Sequence, residues 1–229
     1  MTGWTEYTLA LALFVASHFL PRLGDLRGRL IARIGRRAYF AGYGLLSLAL
    51  LVWVIAAAGR APFVELWPQT GWTRWVPNLA MPVALILAAA GPGLRQPFTL
   101  GGKRGVPLDP ADPGLAALSR HPLFVALALW ALAHMVPNGD LAHVILFGLF
   151  AALALAAIPI FDARARQSLG PDAPAFFATT AILSLRPLAR PTWCRANARS
   201  LAIRTAIAIA LWLTLYALHG PVIGVPPTP

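Results

Sequence analysis

Five histidines are the side chains in this sequence best suited to chemistry, and their spacing defines the problem. His121 and His134 bracket SRHPLFVALALWALAH (119–134), with no charged residue between them. His18 lies in another apolar run, where Tyr7, Leu11 and Phe14 are spaced to share its helix face. A neutral imidazole inside an apolar bundle still needs partners for its polar nitrogens. Such a partner is either a group on another helix or a metal, and histidine is also a common axial ligand of haem iron. His143 and His219 stand at the ends of apolar segments, where a ring at headgroup depth needs no function. His121 follows Arg120 and precedes Pro122, which is well placed at a first helical position because its missing N–H costs nothing there.

Other chemistries find little support. Acidic residues are nearly absent from the apolar segments: Glu6 sits at one mouth, Asp140 in a turn and Asp162 at a segment end. There is no carboxylate dyad, no H-E-x-x-H and no G-x-S-x-G. GLRQPFTLGGKRG (93–105) has glycines and basic residues but lacks Walker spacing, so it reads as a flexible loop. The single Cys194 cannot form an intrachain disulfide.

The elements that must position the histidines are membrane helices. Hydrophobic residues make up 58% of the chain and charged residues 12%, against roughly 25% charged in a soluble domain. Six apolar segments, Trp4–Leu20, Tyr39–Ala58, Val76–Gly91, Pro122–Met135, Leu141–Phe161 and Leu201–Leu218, predict an all-α integral membrane bundle of about six transmembrane helices. No internal repeat or long linker interrupts it, so residues 1–229 are read as one domain. The turn Pro137-Asn138-Gly139-Asp140 predicts a tight helical hairpin between the fourth and fifth segments. Residues 173–185, with Phe176, Phe177, Ile182 and Leu183, predict a cytoplasmic amphipathic segment or a re-entrant one. The end, GPVIGVPPTP, reads as a loose tail.

The net charge of +11 raises nucleic acid as a partner, but the distribution of charge excludes it. Arg22, Arg27, Arg29, Arg33, Arg36 and Arg37 fill the first connection, Arg95, Lys103, Arg104 and Arg120 the third, and seven arginines from Arg164 to Arg204 the fifth. Only Arg60 and Arg74 fall in the second, and none in the fourth. The positive-inside rule then places both termini outside and the basic connections in the cytoplasm. Trp4, Trp67, Trp72 and Trp75 fall at the opposite interface, as an aromatic belt requires. Residues 1–21 lack the basic start of a signal peptide and read as an uncleaved first span. A transporter is disfavoured, since no repeat or mid-membrane carboxylate is present for ion coupling.

Four stretches together resemble the NnrU family: SHFLPRLGDLRGRLIARIGRRAYFAGYGLLSL (17–48), SRHPLFVALALWALAH (119–134), PNGDLAHVILFG (137–148) and FDARARQSLG (161–170). They come in the family's order and spacing. The resemblance implies a bacterial inner-membrane protein associated with denitrification, around nitrite and nitric oxide reduction. It also implies a relationship to the plant ζ-carotene cis–trans isomerases, which depend on haem b. Carried over, the haem-ligating histidines fall on His18 and His134, with Ala131 where the plant enzymes carry a cysteine one turn earlier. A more distant similarity, through Arg120-His121-Pro122 and the LRP at 185–187, is to isoprenylcysteine carboxyl methyltransferases. There an Arg-His-Pro region and a downstream glutamate pair enclose S-adenosylmethionine. Here Asp162 and Ala163 stand near the place of that pair.

Depth along the spans offers a different pairing. His18 is four residues from Arg22 and His134 fourteen from Arg120, so at 1.5 Å per residue they differ in depth by about 15 Å. Depth alone pairs His18 with His121, and Arg120 would then meet a haem propionate. The reading taken is haem b on His18 and His134, with His121 in reserve. The function expected is isomerisation of a lipophilic polyene or support of a respiratory reductase partner. The alternatives are an S-adenosylmethionine-dependent membrane methyltransferase and a non-catalytic membrane assembly factor.

Overall fold

The computed structural model describes residues 3–103, 105 and 109–228. Arg104, counted above in the third basic connection, lies outside them. The elements are α1 (Gly3–Phe19), α2 (Leu26–Ile34), α3 (Arg36–Arg60), α4 (Trp75–Ala90), α5 (Pro122–Met135), α6 (Leu141–Leu169), α7 (Ala173–Thr179) and α8 (Pro191–Leu218). No strand occurs among the described residues; the nearest approach is an isolated bridge between Glu65 and Asp140. The chain divides into two compact units, one of residues 1–68 with 139–146, the other of residues 69–138 with 147–229. The division falls inside α6.

All six predicted segments are helical, and four or five of the six expected spans have the length and apolar composition to cross a bilayer among the described residues. Among the described residues, four stretches are long and apolar enough to cross a bilayer: Arg36–Arg60, Gly71–Ala90, Leu141–Thr179 and Pro191–Ile223. A fifth arises if α1 and the helical stretch after it, bent by 76°, count as one. The predicted fourth span, α5, has 14 residues. At 1.5 Å each it reaches about 21 Å, short of a hydrocarbon core of about 30 Å. Two helices run further than their apolar patterns. α6 continues past Phe161 to Leu169, and α8 starts at Pro191, ten residues before Leu201, because a helix does not end where its hydrophobicity does.

In the first unit α1 packs along α3. Tyr7, Ala10 and Phe14 are buried on α1, and Val54, Ala57 and Ala58 on α3. The Tyr7 hydroxyl donates to the carbonyl of Ala142 (2.7 Å), and Glu6 accepts from Trp53 Nε1 (3.1 Å) and from Arg60. The Asn-Gly-Asp turn is held by backbone pairing: Leu66 N–H donates to Gly139 O (2.8 Å) and Leu141 N–H to Val64 O (2.9 Å). A Cβ on Gly139 would strike the carbonyl of Trp67, so this approach needs glycine.

In the second unit α4 packs on α5 and on α8. Alanines dominate the buried positions of α5: Ala128 and Ala131 share a face with Phe124, and Ala126 and Ala133 lie on the opposite one. Small residues let helices approach closely where lipid supplies no hydrophobic drive for association. Arg204 on α8 donates to the carbonyls of Ala89 and Pro92 (3.0 Å to the latter), covering acceptors at the C-terminal end of α4. The tail expected to be loose instead meets α4: Asn78 Nδ2 donates to Pro227 O (2.8 Å) and Arg74 Nη1 to Thr228 O (3.0 Å). Large apolar side chains such as Leu45 and Leu79 are about 70% exposed, a surface a bilayer solvates and water does not.

Two glycines test this packing. Gly139→Ala is expected to destabilise the protein by about 1–3 kcal/mol, as overpacking does. Gly44→Ala, in the interior of α3 with open space around it, is expected to be neutral or stabilising by up to about 1 kcal/mol. Thermal unfolding in detergent checks both; equal midpoints would show that the turn is not packed as described.

Candidate functional site

The densest buried polar cluster lies in the second unit, at the start of α5. Asp162 on α6 is its centre and is 5% exposed. Arg120 forks onto it, Nε to Oδ1 at 2.9 Å and Nη2 to Oδ2 at 2.6 Å. This is the two-bond geometry in which a guanidinium matches a carboxylate. His121, 1% exposed, places Nε2 at 2.8 Å from Asp162 Oδ1 and Nδ1 at 3.0 Å from Thr99 Oγ1. A neutral ring meets both contacts: Nε2–H donates to the carboxylate, and Nδ1 accepts the threonine hydroxyl. Burial pushes His121 below the usual imidazole range, with Asp162 opposing that shift in part. The charge balance is therefore one arginine against one carboxylate.

Two loops close around this pair. Gln96, fully buried, donates through Nε2 to the Arg120 carbonyl and accepts from Phe98 N–H at 2.7 Å. The loop expected to be flexible is therefore packed over its described part: Gly93 N–H donates to Gly101 O (2.9 Å) and Lys103 N–H to Leu94 O (2.8 Å). From the other side, Arg120 N–H donates to Ala181 O and the Ser119 hydroxyl to Ile182 O, both at 2.7 Å. Ser184 N–H donates to Leu118 O at 2.8 Å. The predicted amphipathic segment at 173–185 is thus helical only over Ala173–Thr179. Its second half spends its backbone groups on residues 116–120 instead. Phe177 meets two cations, with the Arg120 guanidinium 5.0 Å and that of Arg166 4.2 Å from its ring centre.

His134 sits near the far end of α5. Its Nδ1 lies 2.9 Å from the Trp130 carbonyl one turn earlier, and its ring packs on Trp130 and Phe147. Trp130 in turn stacks on Phe150. His121 and His134 are thirteen residues apart on this helix, about 20 Å. His18, in the first unit, has the same local arrangement. Its Nδ1 is 2.8 Å from the Phe14 carbonyl, with the Ser17 hydroxyl at 3.2 Å and the rings of Phe14 and Tyr43 beside it. A ring whose Nδ1–H is committed to a carbonyl carries its lone pair on Nε2, the state in which histidine ligates a metal. Both rings fit an axial ligand in that respect. No group of three or more His, Cys, Asp or Glu side chains with metal-site spacing occurs among the described residues.

Arg120 and His121 are thus brought together, on Asp162. The remaining histidines have local partners. His143 Nδ1 bonds the Asp140 carboxylate (2.7 Å), which also accepts the His143 N–H at the start of α6 (3.2 Å). His219 Nδ1 meets the Val225 carbonyl (2.5 Å). Asp162, Thr99 and Gln96 are the site residues that motif reading passes over. The signal for Asp162 was present in the sequence: a lone acid between an apolar run and a basic connection must find a cation or pay the cost of burial.

The pair predicts a non-additive response. Asp162→Ala strands the buried Arg120 charge and is expected to cost about 3–5 kcal/mol. The double variant Arg120→Met with Asp162→Asn leaves no unpaired charge and keeps an acceptor for His121, so it should lose clearly less. Thermal midpoints of the variants decide; additive losses would remove the ion pair from the account.

Against models of protein families, the chain matches the one described as NnrU protein over residues 6–227. No curated protein and no solved structure matches it. The match extends over nearly the whole length, and the chain is a membrane protein belonging to the NnrU family.

Proposed function

We propose that this protein is a multi-pass protein of the bacterial inner membrane that binds haem b, which His18 and His134 would hold through their imidazoles. The observation that carries the proposal is the state of the two rings. Each commits Nδ1 to the carbonyl four residues earlier and leaves Nε2 as the basic nitrogen, in an aromatic surround. A hydrogen bond of this kind from the other ring nitrogen fixes the tautomer and orientation of a ligating histidine. His121 is the weaker candidate on the same criterion. Both of its nitrogens are already engaged, and ligation would cost it either Asp162 or Thr99. Arg120 is likewise neutralised by Asp162, which supports a structural part for it over a bond to a propionate.

Haem b supplies redox reactivity when bound; the protein's part is to fix the ligands and the polarity around them. The reading that follows for the cell is isomerisation of a lipophilic polyene or support of nitrite and nitric oxide reduction beside a reductase partner. The basic first and third connections support a cytoplasmic location for them and an external location for both termini.

The test is the visible spectrum of the detergent-purified protein, oxidised and dithionite-reduced, after expression with added haem precursor. The expected result is a Soret band that His18→Ala and His134→Ala each abolish and that His121→Gln retains. A folded wild type without a Soret band overturns the proposal. In that case binding of S-adenosylmethionine, measured by calorimetry, becomes the next reading to test.

A further inference from the structure

A nine-residue helix absent from the sequence-based expectation links α1 to α3. Over α2, LRGRLIARI, Leu26, Leu30 and Ile34 recur at four-residue steps, with Ile31 beside them. Arg29 and Arg33, also four apart, form the adjoining edge. None of its residues is buried by the protein; Leu26, Ile34, Arg27, Arg29 and Arg33 are all exposed. Two more exposed arginines, Arg36 and Arg37, follow at the start of α3, and Asp25 is the one acid between residues 20 and 37. Arg27 and Arg36 each place a guanidinium 5.3 Å from the ring centre of Phe40.

Geometry restricts where this helix can lie. The stretch that contains it turns by 76° away from α1. At its other end Gly35, at φ +82°, breaks the path into α3 in a conformation that L side chains rarely adopt. Three arginines in nine residues exclude the hydrocarbon core, where each costs about 2.5–3.5 kcal/mol on insertion scales. Water is equally unsuited to this apolar face, on which the protein leaves Leu26 and Ile34 exposed and Leu30 only half-buried. A helix tethered at both ends to membrane-type helices, apolar on one side and cationic along its edge, has one environment that satisfies both: the headgroup layer, with anionic headgroups as counterions.

We propose that α2 is an in-plane helix that binds anionic lipid, with Arg27, Arg29 and Arg33, joined by Arg36, as the headgroup-binding residues. The proposal rests on the membrane reading of α1 and α3 but not on haem. The full chain, with Cys194→Ser and a spin label at Leu30→Cys, is placed in nanodiscs of phosphatidylcholine alone or with one third phosphatidylglycerol. Label depth is read from accessibility to oxygen against a nickel chelate. A second label, at Leu45→Cys on the exposed face of α3, reports whether the chain spans the disc. The expected result is an oxygen-accessible, nickel-protected Leu30 label whose protection rises with phosphatidylglycerol and falls at high salt. In the Arg27→Gln, Arg29→Gln, Arg33→Gln variant the buried-to-exposed ratio should fall about fivefold per arginine removed. These side chains are exposed, so the thermal midpoint should hold. A Leu30 label open to nickel regardless of headgroup charge, with Leu45 buried in lipid, overturns the proposal. If the Leu45 label is itself open to nickel, the membrane reading of α3 fails, and this proposal with it.

Discussion

A carboxylate in a low-dielectric interior has to be neutralised, and much of the second unit is arranged around that requirement at Asp162. Arg120 cancels its charge and His121 takes up one remaining lone pair. The consequences spread through the backbone. Residue 120 can hold its fork only if its own N–H and carbonyl are satisfied, and Ala181 and Gln96 do this from two different loops. Gln96 in turn depends on a turn in which Gly102 is obligatory, since a Cβ there would strike the Gln96 carbonyl. One ion pair therefore fixes residues 93–103, 116–121 and 180–184 at one end of α5. A buried pair of this kind adds little net stability over apolar packing, but losing one partner is costly. Its value here is positional.

The rest of the unit is built from closeness rather than from charge. Alanines are buried on α5, and Ala151, Ala154 and Ile158 are buried on α6. Aromatic rings fill what the alanines leave: Phe124 with Phe161 near the ion pair, and Trp130 with Phe147 and Phe150 nearer the far end. Ring pairs of this type add about 0.5–1.5 kcal/mol each beyond area burial. They also run the length of the helix, so the 14-residue α5 is held along its whole extent.

How much of this was readable beforehand follows from the kind of signal each part leaves. Apolar runs located all six long helices, because burial in protein or lipid demands the same residue types. They misplaced ends, as at Leu169 and Pro191, because polar helical turns carry no hydropathy signal. α2 was missed because its arginines read as a charged connection; only the four-residue spacing of Leu26, Leu30 and Ile34 betrays a helix. Arg120 and His121 were singled out from their place beside an apolar run and Asp162 was noted as a lone acid at a segment end, but their pairing was not read, since 42 residues separate Arg120 from Asp162. Contacts at that range leave no local pattern in a single chain. Gln96 and Thr99 were hidden for a further reason: in sequence they belong to a glycine-rich basic stretch whose composition suits a loose loop equally well.

The histidines show how environment, not residue type, assigns a role. His121 has a carboxylate on one nitrogen and a hydroxyl on the other, so its bonding capacity is used up and it acts as a strut. His143 is drawn to Asp140 and helps start α6. His18 and His134 satisfy one nitrogen on their own helix, and they do so without help from any other element. That self-sufficiency matters. A ring positioned by its own backbone keeps its second nitrogen oriented whether or not a ligand is present, which is the preorganisation a binding site requires. For His134 the chain of dependence is longer. The helix that carries it is placed at its first turn by Arg120 and Asp162 and along its length by Trp130 and its neighbours. The ion pair at one end of α5 and the imidazole about 20 Å away at the other are thus parts of one mechanical element.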